Sequence, residues 1–191
     1  MFKQLSLLLS ITHSQSILRR YFVVNGFDGA LTMLGIIMGF YISDSVKLAV
    51  IMNTCLGAAI ALGMSGLISA YASESAEQKK QLGDLEQAMV KDLGSSAYGE
   101  AARLLPYVTA AVNSLSPLII ALIIISPIWA ATLSFELSIG AVETAMLIAF
   151  LILFLLGVFL GRISGTYWLW SGIRTLLIAI VTAGLIFLVA T

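Results

Sequence analysis

Residues 139–161 read IGAVETAMLIAFLILFLLGVFLG, an apolar run with one charged side chain, Glu143. A run of roughly 20 predominantly apolar residues is long enough to cross the hydrocarbon core of a bilayer as a helix. Working outward, the same pattern recurs, and the five predicted spans cover residues 21–41, 48–72, 105–133, 139–161 and 169–190. The sequence therefore predicts an all-α membrane protein with five transmembrane helices in a single transmembrane domain over residues 1–191.

The composition of the chain supports this assignment. Of its 191 residues, 60% are hydrophobic and 10% are charged, and the formal net charge at pH 7 is zero. Soluble domains contain about 25% charged residues, so that class is excluded, and a neutral chain gives no electrostatic reason to bind nucleic acid. The single cysteine, Cys55, and the single histidine, His13, exclude multi-cysteine metal sites and histidine-rich sites.

Basic residues predict the orientation of the chain in the bilayer. Cytoplasmic loops carry the excess of Lys and Arg, and nine of the ten basic residues fall on one side of the spans, with Lys47 on the other. We therefore expect the N-terminus in the cytoplasm and the C-terminus outside. Residues 3–20 predict an interfacial amphipathic helix, for which a cleaved signal peptide is the alternative. The absence of a recognisable organellar targeting segment favours a prokaryotic cell membrane.

The longest polar stretch, residues 73–104, lies between the second and third predicted spans. It predicts one or two short cytoplasmic helices with breaks at Gly83 and at residues 94–96. Glu74 and Glu77 begin this segment, and neighbouring carboxylates can gather divalent cations. Lysines alternate with these carboxylates, so a salt-bridged surface helix is the other interpretation.

Asp28 lies about two turns into the first predicted span, where an ionised carboxylate costs on the order of 2.5–3.5 kcal/mol on insertion scales. Such a group needs a partner, a cation or a proton. Helical spacing places Asp28, Thr32, Gly35 and Gly39 on one face, which we call the carboxylate face of the first span. Lipid is not expected to cover this face, which lines either a helix contact or an aqueous path. A protonated or capping Asp28 with close packing at the two glycines is the simpler alternative.

The second span repeats this pattern of small and polar residues, with Ala59, Gly63, Gly66, Ala70, Ser73 and Glu77 on one face. Because the first two spans run in opposite directions, we expect Asp28 near the depth of Met64. A thioether beside a carboxylate suits a divalent transition ion better than Na⁺ or Mg²⁺. A simple packing role for Met64 is the alternative.

Residues 25–35, NGFDGALTMLG, resemble the opening motif of the vacuolar iron transporter family, in which an Asp-Gly pair begins a glycine-rich first helix. The five spans and the charged segment after the second span are also similar to that family. The resemblance implies a homodimer that moves Fe²⁺ or Mn²⁺ out of the cytosol in exchange for protons, along a path near the dimer axis. It also implies that Asp28 is the intramembrane aspartate and that Met64 matches the family's second-helix methionine.

The chain departs from the family pattern at two places. The family commonly has Gly-Glu-Tyr or Gly-Glu-Phe in its second helix, whereas this chain has Ala70 in place of the glutamate and Glu74 one turn later. The cytoplasmic segment is also shorter than the family's three-helix metal-binding domain. The resemblance therefore leaves the geometry of the ligands around the transported ion open.

Three functional hypotheses follow. In the first, Asp28 binds a divalent ion when it is ionised and releases the ion when it is protonated, so that the protein exchanges metal for protons without a tightly bound cofactor. In the second, the chain is a non-transporting membrane scaffold whose glycine faces serve oligomer packing. The third, an enzyme, is disfavoured because the sequence shows no pairing of a nucleophile with a base.

Overall fold

The computed structural model describes residues 14–43, 46–133 and 139–190, and within these ranges the chain forms helices without strands. The five helices, numbered α1 to α5 in chain order, are Ser14–Ile42, Leu48–Met89, Ala97–Thr132, Ala141–Ser164 and Trp168–Ala190. Each is long and apolar enough to cross a membrane. The predicted all-α membrane fold with five spans is thus confirmed. Residues 14–20 begin α1, and the rest of the predicted amphipathic helix lies outside the described residues.

The polar segment after the second span is helical on both sides of a short turn. Helix α2 continues past the predicted end of the span to Met89, and it passes Gly83 without interruption. The predicted break at Gly83 was therefore wrong. A glycine inside a helix costs about 1 kcal/mol relative to alanine, which neighbouring helix formers such as Glu, Gln, Lys and Leu offset. The break at residues 94–96 is confirmed, because α3 begins at Ala97.

Hydrogen bonds fix the turn between α2 and α3. The N–H of Lys91 donates to the carbonyl of Glu86 at 3.2 Å, which is the bond of a Schellman motif. The left-handed residue of this motif is Val90, with φ of 51°, in a conformation that costs a residue with a side chain about 1–2 kcal/mol. Ser96 then caps α3 by accepting the N–H of Gly99 at 3.2 Å.

The chain forms two compact units, and each is described by itself. The first unit holds the described residues of Met1–Phe22 and Gly63–Leu115, and the second holds those of Val23–Leu62 and Ser116–Thr191. The second unit contains a large apolar core to which all five helices contribute. Its largest fully buried apolar side chains include Met33, Leu34, Ile37, Ile124, Ile125, Ile128 and Leu153.

Close helix contacts in the second unit occur at glycines of α1. A Cβ atom added to Gly29 would lie 2.8 Å from the Cα of Pro117, and one added to Gly26 would lie 2.8 Å from the Cδ1 of Ile120. At Gly29 the neighbour is the main chain of Pro117, which cannot shift, so only glycine lets α1 approach α3 there, whereas at Gly26 the neighbour is the end of a flexible side chain. The packing of α1 against α3 defines which face of α1 is turned inward.

Helices α2 and α3 pack antiparallel in the first unit. The side-chain amide of Asn113 donates to the carbonyl of Gly66 at 2.6 Å. Nearer the turn, the rings of Tyr71 and Tyr107 lie 5.1 Å apart between centroids. These two contacts set the register of the α2–α3 pair, because each joins one residue of α2 to one residue of α3.

Candidate functional site

Asp28 is exposed on the surface of the second unit. The residues that α1 buries in this unit are Ala30, Met33, Leu34 and Ile37, all with 0% exposure. At about 100° of rotation per residue, Asp28 lies on the opposite side of α1 from these four residues. Helix α1 thus turns its apolar face into the protein and its carboxylate outward.

The rest of the carboxylate face is also open. Thr32, Gly35 and Gly39 are half-buried. A Cβ atom on Gly39 would meet no atom within 4 Å, and one on Gly35 would meet only the Cδ1 of Ile186, at 3.6 Å. These two glycines therefore make no close packing contact within their own chain, and the packing in the simpler interpretation of the sequence stays a prediction. The close contacts of α1 use Gly26 and Gly29 instead.

The face of α2 that carries small residues is buried over only part of its predicted length. Gly63, Gly66 and Ala70 are buried in the first unit, and Gly66 packs against Asn113, so this part of the face is a helix contact. The pattern predicted that the face continues to Ser73 and Glu77, but both are exposed. The buried face continues instead through Glu74 and Gln78, which follow Ala70 in steps of four residues. Residues four apart are neighbours on the surface of a helix.

Met64 is 52% exposed on α2. It belongs to the first unit together with Glu74 and Glu77, whereas Asp28 belongs to the second unit. Three of the four predicted ion-binding residues thus belong to the first unit and one belongs to the second. The pairing of Asp28 with Met64 around one ion stays a prediction.

Glu74 and Gln78 form a buried polar pair on α2. Glu74 is 6% exposed and Gln78 is 5% exposed. The Nε2 of Gln78 donates to the Oε1 of Glu74 at 2.8 Å. The Oε1 of Gln78 has no hydrogen-bond partner among the described residues, and neither has the hydroxyl of the fully buried Thr109 on α3. Buried polar atoms are nearly always paired, so these two oxygens need an explanation.

Glu77 makes the same bond at the surface. The Nε2 of Gln81 donates to the Oε1 of Glu77 at 2.8 Å, and both side chains are exposed. Within residues 14–43, 46–133 and 139–190, no three His, Cys, Asp or Glu side chains come together in a group that could hold a metal ion. A site made of three or more carboxylates of one chain is therefore absent from this part of the molecule.

The sequence reasoning missed Gln78 and Thr109. Neither carries a charge, and uncharged polar residues are common at the ends of membrane spans, so neither drew attention. A usable signal exists for Gln78, because it follows Gly66, Ala70 and Glu74 in steps of four and so shares their face. The burial of Thr109 depends on the packing of α3, for which the sequence carries no comparable signal.

Five helices of membrane-spanning length within the described residues define an integral membrane protein. The model of the VIT family matches residues 76–191, which is more than half of the chain. The chain belongs to the VIT family, a family of membrane metal-ion transporters rather than of enzymes. This confirms the resemblance that residues 25–35 indicated.

A relative extends the similarity toward the N-terminus. The uncharacterized protein MJ0645 of Methanocaldococcus jannaschii is 30% identical over 174 residues, which cover 89% of this chain and 87% of that protein. No solved structure matches the chain. The match to the family begins at residue 76, so it includes Glu77 but not Asp28, Met64 or Glu74. The roles of these three residues therefore depend on their own placement and chemistry.

Proposed function

We propose that this protein exports Fe²⁺ or Mn²⁺ from the cytosol in exchange for protons, as a homodimer in which Asp28 binds the ion within the membrane. The observation that carries the proposal is the exposure of Asp28 on α1, opposite the face that α1 buries in its own chain. In a bilayer, lipid cannot stabilise an ionised carboxylate at this position. The carboxylate face therefore needs a second copy of the chain, an aqueous path or both.

A twofold dimer provides both a second copy of the chain and a path between the two copies. In a symmetric dimer each residue near the axis faces its own counterpart, so two α1 helices can meet through their carboxylate faces. Gly35 and Gly39 leave space for such an approach, since side chains added there would find little or nothing in their own chain. The path between the helices then contains two Asp28 carboxylates, one from each copy.

Charge balance explains how this arrangement couples metal to protons. Two ionised carboxylates repel each other in a low-dielectric site, and one divalent cation neutralises both. Two protons neutralise them equally well, so the metal and the protons compete for the same pair of Asp28 side chains. Exchange of one divalent ion for two protons keeps the site neutral at each step, which avoids the cost of a buried net charge.

The remaining predicted ligands are Met64, Glu74 and Glu77 of α2. Met64 presents a thioether on the exposed side of α2, and a soft sulfur ligand favours Fe²⁺ or Mn²⁺ over Mg²⁺. Glu74 and Glu77 lie beyond the predicted end of the second span, on the side where the basic residues predict the cytoplasm. We place them at the cytoplasmic entrance, where carboxylates raise the local concentration of cations.

The experiment is metal flux in proteoliposomes. We expect wild-type protein to carry Fe²⁺ and Mn²⁺ with an opposite change in internal pH, and D28N to carry neither. The matched control is E143Q, which removes a carboxylate from the first turn of α4 without touching α1; it is expected to keep the wild-type flux. Undiminished flux in D28N would refute the role of Asp28.

The scaffold hypothesis has one supporting observation, because the open glycines of α1 would also suit an oligomer without transport. Thermal unfolding separates the two functions. An ion that binds only the folded protein raises its unfolding temperature, whereas a scaffold without an ion site shows no such shift. We expect Mn²⁺ to stabilise the wild-type protein and to stabilise D28N less.

A further inference from the structure

The turn between α4 and α5 lies at the level where a bilayer presents its headgroups. The two helices have 24 and 23 residues. At 1.5 Å per residue each is about 35 Å long, slightly more than the roughly 30 Å of the hydrocarbon core. Residues 165–167 join them. A hairpin of two such helices therefore brings its turn to a polar surface of the bilayer, whichever side that is.

Close packing holds the two helices of this hairpin together. A Cβ atom added to Gly161 would lie 2.9 Å from the Cα of Trp168. Deeper in the hairpin, the hydroxyl of Thr175 donates to the carbonyl of Leu153 at 3.0 Å. Gly165 ends α4 in the left-handed conformation, with φ of 69°. The side chains around the turn therefore start from a closely packed backbone, which limits where they can reach.

Three side chains at the turn form what we call the arginine–aromatic row. The Cζ atom of Arg162 lies 5.5 Å from the centroid of the Trp168 ring. The rings of Trp168 and Tyr167 lie 6.5 Å apart between centroids. All three side chains are exposed. A cation–π contact restricts the guanidinium without using a hydrogen-bond acceptor, so its N–H donors remain available to a ligand.

The charge of Arg162 has no acidic side chain near it in the sequence. The chain contains no Asp or Glu after Glu143. Glu143 lies in the first turn of α4, so about 28 Å of helix separates the two residues. Within the part of the chain that the structure describes, Arg162 also forms no ion pair. Its positive charge is therefore available to an anion.

We propose that the arginine–aromatic row binds the headgroup of an anionic phospholipid, such as phosphatidylglycerol. The fork of N–H donors on Arg162 matches the oxygens of a phosphate. The rings of Trp168 and Tyr167 suit the level between headgroups and acyl chains, where an aromatic ring contacts both. The row thus fits the charged and the apolar part of one lipid molecule. This site goes beyond the proposed function, because it requires neither Asp28 nor a transported ion.

Net negative charge distinguishes the proposed lipid from a zwitterionic one. The headgroup of phosphatidylcholine carries its own cation, which repels a guanidinium that approaches the same phosphate. Phosphatidylglycerol has no such cation. Since the row contains one positive charge and no negative charge, we expect it to select the anionic lipid.

Arg174 is the matched comparison within the same hairpin. It is exposed on α5 and, like Arg162, it forms no ion pair among the described residues. Unlike Arg162, it does not lie over an aromatic ring in the part of the chain that the structure describes. If contact with a ring orients the guanidinium, Arg162 holds the lipid, whereas Arg174 adds only a general attraction between charges.

The experiment measures lipid binding to the full chain in detergent, by native mass spectrometry and by thermal unfolding. Wild-type protein should retain phosphatidylglycerol, and this lipid should raise the unfolding temperature more than phosphatidylcholine does. We expect R162Q to weaken phosphatidylglycerol binding at least about fivefold, and R174Q to stay within about twofold of wild type. Inorganic phosphate is the third probe. It should not displace the lipid, because it lacks the apolar part that the rings contact.

Two conservative variants guard against loss of folding. R162K keeps the charge but not the planar fork, so it should bind phosphatidylglycerol more weakly than wild type and more tightly than R162Q. W168F keeps an aromatic face, so it should bind the lipid more tightly than W168L. A damaged fold would not produce this graded order.

The proposal is overturned if R162Q binds phosphatidylglycerol as wild type does, or if R162Q and R174Q lose it alike. It is also overturned if phosphatidylcholine or free phosphate stabilises the protein as much as phosphatidylglycerol does. D28N keeps this site apart from the proposed function, because we expect it to lose Mn²⁺ flux and to keep lipid binding. Unselective lipid binding with normal flux in wild-type protein rejects the lipid site alone.

Discussion

Helix α1 carries two pairs of glycines with opposite surroundings. Gly26 and Gly29 press against α3, where an added Cβ would lie 2.8 Å from Ile120 or from Pro117. Gly35 and Gly39 lie on the carboxylate face, where an added Cβ would meet one distant methyl group or nothing. The first pair attaches α1 to its own chain, while the second leaves room beside Asp28. The same residue type therefore builds the fold on one side of the helix and, in the proposed function, leaves space for a second copy of the chain on the other.

The largest effect that we expect from a glycine substitution is a loss of Mn²⁺ flux on the carboxylate face of α1. Replacing Gly39 with Leu fills space that its own chain leaves empty, so the chain should fold but two α1 helices should no longer approach each other. We expect Mn²⁺ flux to fall at least about tenfold, because helices that are held apart cannot form the shared path. The measurement is proteoliposome flux together with the oligomeric state in detergent.

The control for this variant is Gly57→Leu. Gly57 of α2 also has no atom within 4 Å of an added Cβ, but it lies outside the carboxylate face. Wild-type flux in this control together with reduced flux in Gly39→Leu would support a specific role for the carboxylate face of α1. Equal flux in both variants would show that the open side of α1 has no special role.

The next largest effect is a loss of stability on the face of α1 that packs against α3. Replacing Gly29 with Ala forces a methyl group against the main chain and ring of Pro117, which cannot move aside, and overpacking of this kind costs about 1–3 kcal/mol. Gly39→Ala is the matched variant on the same helix and meets no neighbour. Thermal unfolding in detergent should therefore give a lower midpoint for Gly29→Ala than for Gly39→Ala. The reverse order would contradict the assignment of the two faces.

Hydropathy was sufficient to predict the five helices, because a bilayer demands long apolar segments and leaves few alternatives. The sequence also identified Asp28 as a candidate functional residue, since an ionised carboxylate inside an apolar span is costly. It did not reveal which glycines pack and which remain open, because pairs of glycines at helical spacing occur on both sides of α1. Thr109 was missed for a related reason, because its burial depends on the packing of α3, whereas the spacing of Gln78 from Gly66, Ala70 and Glu74 was a usable signal that was overlooked.

The error at Gly83 shows the limit of residue propensity. Glycine was taken as a helix break, but α2 runs through it. A cost of about 1 kcal/mol at one position is smaller than the gain from continuing a long helix. The error also shows that the polar segment consists of extensions of α2 and α3 joined by a turn, rather than of separate small helices.

The smallest expected effect tests this view of Gly83. It has no atom within 4 Å of an added Cβ, and it lies outside both glycine-bearing faces of α1. Gly83→Ala should therefore stabilise the protein by about 0.5–1 kcal/mol without a change in Mn²⁺ flux. Thermal unfolding and flux measured on the same preparation check this prediction, and a loss of flux would indicate that the polar extension of α2 must bend.

Cross-linking between copies tests the central claim most directly, because it shows what the carboxylate face of α1 meets in a membrane. With Cys55 replaced by alanine, a single cysteine at Thr32 should form a dimer on mild oxidation, since disulfides need Cα atoms within about 7 Å. A single cysteine at Leu185, which is exposed on α5, should remain monomeric under the same conditions. A monomeric Thr32→Cys protein, or equal cross-linking at both positions, would contradict the account.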